Sequence, residues 1–213
     1  MSESEHPARR YHHGDLRRAL VDAARRLLEK EGPTALSLRA VAREAGVSAA
    51  APYHHFKDKA ELLAAVGEQG WELLDRRLDE AAAAHGSAHE RMTETGAVYV
   101  TFALKNPALY RVMFDAMRES EGNPDRLTDK DHRFERLRRM LVEGGANPDD
   151  LMGLELGAMA AWCASHGLAE MIAFKRFDSM REALGGEDAL MRAVLDQLTI
   201  YAHRPGGPSP SDG

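Results

Sequence analysis

An all-helical chain in two parts, a small N-terminal head and a larger body, is the fold class this sequence predicts, on three observations. Ala, Leu, Arg and Glu are abundant, β-branched residues are few, and aromatics make up only 6% of the chain, a balance that favours helix. Apolar residues recur at i, i+3, i+4 and i+7 in segment after segment, the helical rhythm, and no stretch alternates like a strand. Charge is divided unevenly. Residues 1–66 hold 11 Lys/Arg and 9 Asp/Glu, a net of +2 with five histidines, and the rest holds 17 against 25, a net of −8. A mildly basic head on an acidic body suits one anionic partner.

The elements follow in order. After an arm at 1–13, Asp15 is positioned to cap a helix carrying Leu16, Ala19, Leu20, Ala23, Ala24, Leu27 and Leu28 on one face, and "EGPT" stops it. Ser37 caps a short second helix, "LRAVAREA", with Leu38, Val41, Ala42 and Ala45 on one side. In "GVS", Gly46 makes a tight turn, Val47 is an apolar plug and Ser48 the next cap. The third helix, "AAAPYHH", spans barely two turns, with Pro52 near its start, where a missing amide costs least. A fourth begins near Asp58 and runs through "ELLAAVGEQGWELLDRRLDEAAAA".

In the body, Ser87 caps a helix to about Asn106, and "NPALYRVMFDAMRES" restarts one at Pro107. After "EGNPDR", Thr128 caps a helix that ends at Gly144 and Gly145. A long helix follows from Pro148. Its segment 156–169 carries no formal charge and is expected to be buried on most sides. The last helix, "EDALMRAVLDQLTIYAHR", is apolar on more than one face, and "PGGPSPSDG" reads as a disordered tail. The expected division is an arm at 1–13, a head at 14–60, a body at 61–204 and a tail at 205–213.

Composition excludes several classes. One cysteine, Cys163, precludes an internal disulfide framework and suits a reducing cytosol. The N-terminus lacks the apolar region of a secretory signal, and no run reaches the roughly 18 apolar residues of a membrane span. The expected location is cytoplasmic, with no membrane partner.

A short helix, a Gly-Val turn and a second short helix opening on Ser form a helix-turn-helix pattern. The first helix packs across the second, which is then free to enter a major groove. The stretch "LSLRAVAREAGVSAAAPYHHFKDKAELLAAV" also resembles the DNA-binding domain of the TetR family of bacterial transcriptional regulators, over about residues 14–67. The match lies in Ala45-Gly46-Val47-Ser48, Tyr53, His55-Phe56, Lys59 and Leu62-Leu63. "NPALYRVMF" looks like a restart common in the family's regulatory domain. "WCASHG", with Trp162, His166 and Gly167, looks like the Trp-His-Gly element of one subfamily, as does the opening "YHHGDLRRAL".

The resemblance implies roles. Tyr53 donates its phenol to a phosphate. Lys59, at a helix N-terminus, offers phosphate an ammonium supported by backbone amides and helix dipole. Ser37, Arg39, Ser48 and Lys57 join the DNA-facing set, although Ser37 serves equally as a cap alone. Phe56 points the other way, into the core. At the exposed start of the recognition helix, where relatives usually carry some polar side chain, this chain has Ala49, Ala50 and Ala51. Alanine only contacts thymine methyls or permits close approach, which leaves His54 as the main polar contact. Direct readout should be thin, with more weight on DNA shape. Arg9 and Arg10 either enter a minor groove or belong to a solubilising arm.

Other chemistries compete. The two Tyr-His-His clusters suggest a metal, but His54 and His55 point about 100° apart on a helix and cysteine ligands are missing; no metal or cofactor is expected. Cys163 and His166, three apart, would suit nucleophile and base, yet they lie in an apolar segment without an oxyanion cradle, so no enzyme is expected. A ligand cavity in the body is better founded. Tyr99, Phe102, Tyr110, Met113, Phe114, Met117 and Trp162 are its candidate walls, with His166 and Glu170 as the polar pair. Each of these also suits an ordinary core.

The expectation is a homodimer whose last two helices pack with their copies as a four-helix interface. Its recognition helices would meet a palindromic double-stranded operator in successive major grooves, about 34–36 Å apart. A small-molecule effector would release it, as a repressor. The alternative is a helical small-molecule-binding protein or enzyme whose head merely resembles a helix-turn-helix.

Overall fold

The computed structural model describes the backbone of residues 13–120 and 128–202. Among these residues the chain is helical, without strands. It divides into two compact units. The first comprises residues up to Gly70 with Ala108–Arg118, the second Trp71–Pro107 with the chain from Glu119 onward.

In the first unit, α1 (His13–Glu31) and α2 (Leu38–Glu44) bury the faces their periodicity marks. Leu20, Ala24, Leu28 and Val41 are wholly enclosed. The first helical residue described is His13, which puts Asp15 inside the first turn of α1 and not at its cap. Ser37 caps α2 as expected, its Oγ accepting the Ala40 amide at 3.1 Å. Gly46 turns the chain at φ +69, a conformation costly for residues with a Cβ.

The third element is shorter than its sequence suggests. It is one 3-10 turn, Ala51–His54, with Ala49 and Ala50 in the turn before it. Ala50 precedes it without a side-chain cap, and Ser48 supplies only its carbonyl, to the Ala51 amide at 3.0 Å. The amides of His55 and Phe56 both fall on the Pro52 carbonyl, which closes the turn before an α-helix can propagate. Helix α3 (Lys59–Ala82) follows, and its first half meets α5 (Pro107–Ser120) within this unit. A Cβ on Gly67 would stand 3.0 Å from the Ala116 Cβ, so its glycine lets the two helices approach closely.

The second unit holds the rest of α3, α4 (Ala88–Lys105), α6 (Thr128–Glu143), α7 (Leu151–Met171), α8 (Asp178–Leu184) and α9 (Glu187–Ala202). Helix α4 packs on α6, α7 and α9. Ala82, Met92, Met140, Leu141, Leu154 and Ala158 make one buried cluster. Ser87 caps α4 through a full capping box with Glu90. Asp150 caps α7, which starts three residues after Pro148. A 3-10 turn at Lys175–Phe177 and helix α8 precede α9, two elements the periodicity did not separate.

The uncharged segment of α7 departs from expectation. Ala158 is fully buried, but Leu156 is 59% and Met159 53% exposed, and Cys163 is exposed too. Hydropathy reports that a surface avoids water and says nothing of what covers it; α4, α6 and α9 pack on α7 and still leave these side chains exposed. No helix among the described residues is long and apolar enough to cross a membrane.

Candidate nucleic-acid interface

The head is built on α1. Arg26 Nε reaches Glu44 Oε1 of α2 at 3.2 Å, and Gln69 Nε2 of α3 donates to Asp22 Oδ1 at 2.6 Å. Leu38, Val41 and Ala42 turn one side of α2 inward, which sends Arg39 and Arg43 outward. Phe56 is 1% exposed, an apolar peg under the 3-10 turn, with the Arg17 guanidinium 5.2 Å from its ring centre. Between the buried Pro52 and Phe56, Tyr53 and His54 face out. Tyr53 is 53% exposed and His54 is exposed, while His55 is half-buried. The adjacent histidines therefore diverge, and the described residues contain no group of three or more His, Cys, Asp or Glu placed to hold a metal.

The start of α3 is differently furnished from the sequence reading. Lys59 donates through Nζ to the Pro33 carbonyl at 2.8 Å, tying α3 to the loop before α2. Asp58 Oδ1 accepts the Glu61 amide at 2.9 Å and Glu61 Oε2 accepts the Lys57 amide at 2.8 Å. Two amides at this helix start are thus satisfied by the chain's own carboxylates and not by a phosphate. An ammonium has three protons, so Lys59 keeps donors beyond its tether. Ser37 likewise accepts as a cap and retains its hydroxyl proton.

Ser37, Arg39, Ser48, Ala49, Ala50, Tyr53, His54 and Lys57 are exposed on the head, with Ala51 and Lys59 partly covered. Arg9 and Arg10 lie outside the described residues. The sequence reading missed Arg43, exposed one turn after Arg39 on α2; its i+4 spacing was the available signal.

The nine candidate cavity residues fall in both units. In the second, Tyr99 is buried with its hydroxyl 3.3 Å from His166 Nδ1, Phe102 is buried, and Trp162 stands edge-on to Phe134 at 5.7 Å. Glu170 is exposed. In the first, the Tyr110 and Phe114 rings lie 4.9 Å apart with planes tilted by 54°, Met113 is wholly buried where Gly70 leaves room, and Met117 is half-buried. A cleft of about 440 Å³ opens elsewhere in the second unit, with His85, His89, Arg91, Glu94, Arg192 and Asp196 among its walls. None of the nine lines it.

Two short elements joined by a glycine turn, pinned on a first helix and facing outward with hydroxyls and cations, define the helix-turn-helix class. Residues 20–66 match the model of bacterial regulatory proteins of the tetR family, and residues 92–198 match the tetracyclin repressor-like C-terminal domain. The chain belongs to the TetR family of transcriptional regulators. It is 42% identical over 72 residues to the HTH-type transcriptional regulator BetI of Rhizobium meliloti, covering 34% of each chain. It is 36% identical over 66 residues to AcrR of Shigella flexneri, 31% of this chain and 29% of that one. The match thus spans about a third of these curated relatives. A Rhodococcus protein of unknown function superposes with a TM-score of 0.67 at 31% identity, covering 90% of this chain and 97% of that one.

Proposed function

We propose that this regulator is a cytoplasmic repressor that binds a palindromic operator as a homodimer and is released by a small-molecule effector in the body. The carrying observation is the outward face of the head, where Tyr53, His54 and Arg39 stand exposed around a turn pinned by buried Phe56. Tyr53, Ser37, Arg39, Lys57 and Lys59 hold phosphates; Ser48, the alanines and His54 face the groove; Arg9 and Arg10 extend the contact. Dimerisation is supported by α7, where Leu151, Met152, Leu156 and Met159 are more than half exposed. So much contiguous apolar surface signals a partner, and a second copy presenting the same face satisfies it with two-fold symmetry.

The subfamily with the Trp-His-Gly element is the better assignment. Trp162 and His166 anchor α7 to Phe134 of α6 and Tyr99 of α4, a structural reason for aromatic and imidazole at that spacing. The same geometry argues against catalysis by Cys163 and His166. The thiol is exposed on α7 while the imidazole engages Tyr99.

A mobility-shift titration of DNA from beside the protein's own gene tests the regulator reading. Tyr53→Phe with Lys59→Ala should weaken binding at every sequence and flatten the salt dependence, by about 0.9 in log–log slope per lost phosphate contact. Absence of salt-sensitive, sequence-selective binding overturns it.

A further inference from the structure

The outward surface between Ser48 and Tyr53 carries an uncommon set of groups for a base-reading element. Ala49 and Ala50 are exposed, Ala51 is partly covered, and Pro52 is buried beneath them. The turn is fixed by the Ala51 amide on the Ser48 carbonyl at 3.0 Å and the Tyr53 amide on the Ala50 carbonyl at 3.1 Å. Polar side chains begin only at the margins, with Ser48 on one side and Tyr53 and His54 on the other. Two adjacent alanines end at their methyls, and so offer a base edge apolar contact and nothing else.

In the major groove only thymine answers that surface in kind. It alone presents a methyl group, whereas the edges of the other bases present donors and acceptors. Placing an alanine against a donor or acceptor would strip its water and supply no hydrogen bond in exchange. Methyl against methyl removes apolar surface from water at both partners. The small side chains serve this doubly, because a longer one would hold the turn away from the groove floor.

We propose that Ala49 and Ala50 read thymine methyls, so that each operator half-site carries thymine at the one or two positions beneath this turn. Discrimination there comes from burial of the methyl, while Ser48, His54 and the phosphate contacts fix the register. The inference rests on the proposed operator contact of the head.

The first arm of the test leaves the protein unaltered. An operator is first recovered with the wild-type protein by selection from random-sequence DNA. Thymine is then replaced by deoxyuridine at single half-site positions, which deletes the C5 methyl and keeps every hydrogen-bonding group. One or two positions should each weaken binding about fourfold, the worth of about one buried methyl group, and replacements outside the half-sites should have no effect. Ala49→Gly or Ala50→Gly should cost a similar factor on the thymine operator and little more on the matching deoxyuridine one. Unchanged affinity at every deoxyuridine position overturns the inference, makes the alanines mere spacers, and leaves the operator reading intact. Failure to recover any sequence-selective DNA overturns the operator reading and this inference with it.

Discussion

Ser37 and Lys59 show how one side chain on the head serves two demands. The Ser37 hydroxyl accepts the Ala40 amide, and so holds the start of α2, while its proton is left for a phosphate. The two roles separate by substitution. Ser37→Ala should cost about 1 kcal/mol of stability, whereas glycine at an N-cap costs only a few tenths. If the hydroxyl also meets DNA, Ser37→Gly should keep nearly the wild-type melting temperature and lose operator affinity. Melting curves beside binding titrations check this; affinity that follows stability in both variants would leave Ser37 a cap alone. Lys59 was legible as an exposed cation at a helix start. Its hold on the Pro33 carbonyl was not, because that partner lies 26 positions away and is a backbone atom with no sequence signature.

Among elements, α4 starts at the cap the sequence marks, Ser87. Ser87 and Glu90 stand at capping-box spacing, and the structure closes both bonds: the Glu90 amide to Ser87 Oγ at 3.2 Å and the Ser87 amide to Glu90 Oε2 at 2.7 Å. The Ser87 backbone bond, followed by its hydroxyl, lowers the Glu90 carboxyl below its usual pKa. A depressed carboxylate stabilises the fold above its unfolded pKa, and that contribution disappears as pH falls through the lower folded value. Ser87→Ala deletes the hydroxyl but keeps the amide, so the Glu90 titration should move part of the way back toward the ordinary range, as read by carboxyl NMR. An unmoved titration would mean the hydroxyl contributes nothing. The pairing of α3 with α6 was invisible by comparison. Arg136 is 4% exposed and donates to Asp79 at 2.8 Å and Asp75 at 3.1 Å. Arg133 shares Asp75 and lies 4.1 Å above the Trp71 ring. In sequence these arginines belong to "RFERLRRM", which looks like a solvated basic face.

For the molecule as a whole, the exposed stripe of α7 makes the plainest demand. Met152, Leu156 and Met159 follow helical spacing and stay more than half exposed among the described residues, and Leu198 of α9 is 38% exposed. Leu156→Glu with Met159→Glu should therefore give monomers in sedimentation equilibrium with unchanged helicity by circular dichroism. Operator binding should weaken sharply, since a single head reaches only one half-site. A double variant that stays dimeric would place the interface elsewhere.

The sequence by itself determined that the chain is helical, where most helices start and stop, and which face of the head turns inward. Those features depend on near neighbours, through caps, glycine turns and the 3.6-residue period. Leu28 was identifiable as core from spacing alone, and Phe56 as core and Tyr53 as exposed only through the resemblance of the motif. Only the tertiary structure decided that the element after the glycine turn is a single 3-10 turn, that Lys59 is tethered to Pro33, and that α7 buries Leu154 and Ala158 while Leu156 and Met159 stay exposed. Each of those depends on which distant segment arrives to accept a proton or cover a surface, and hydropathy and propensity encode the need for a partner without its address.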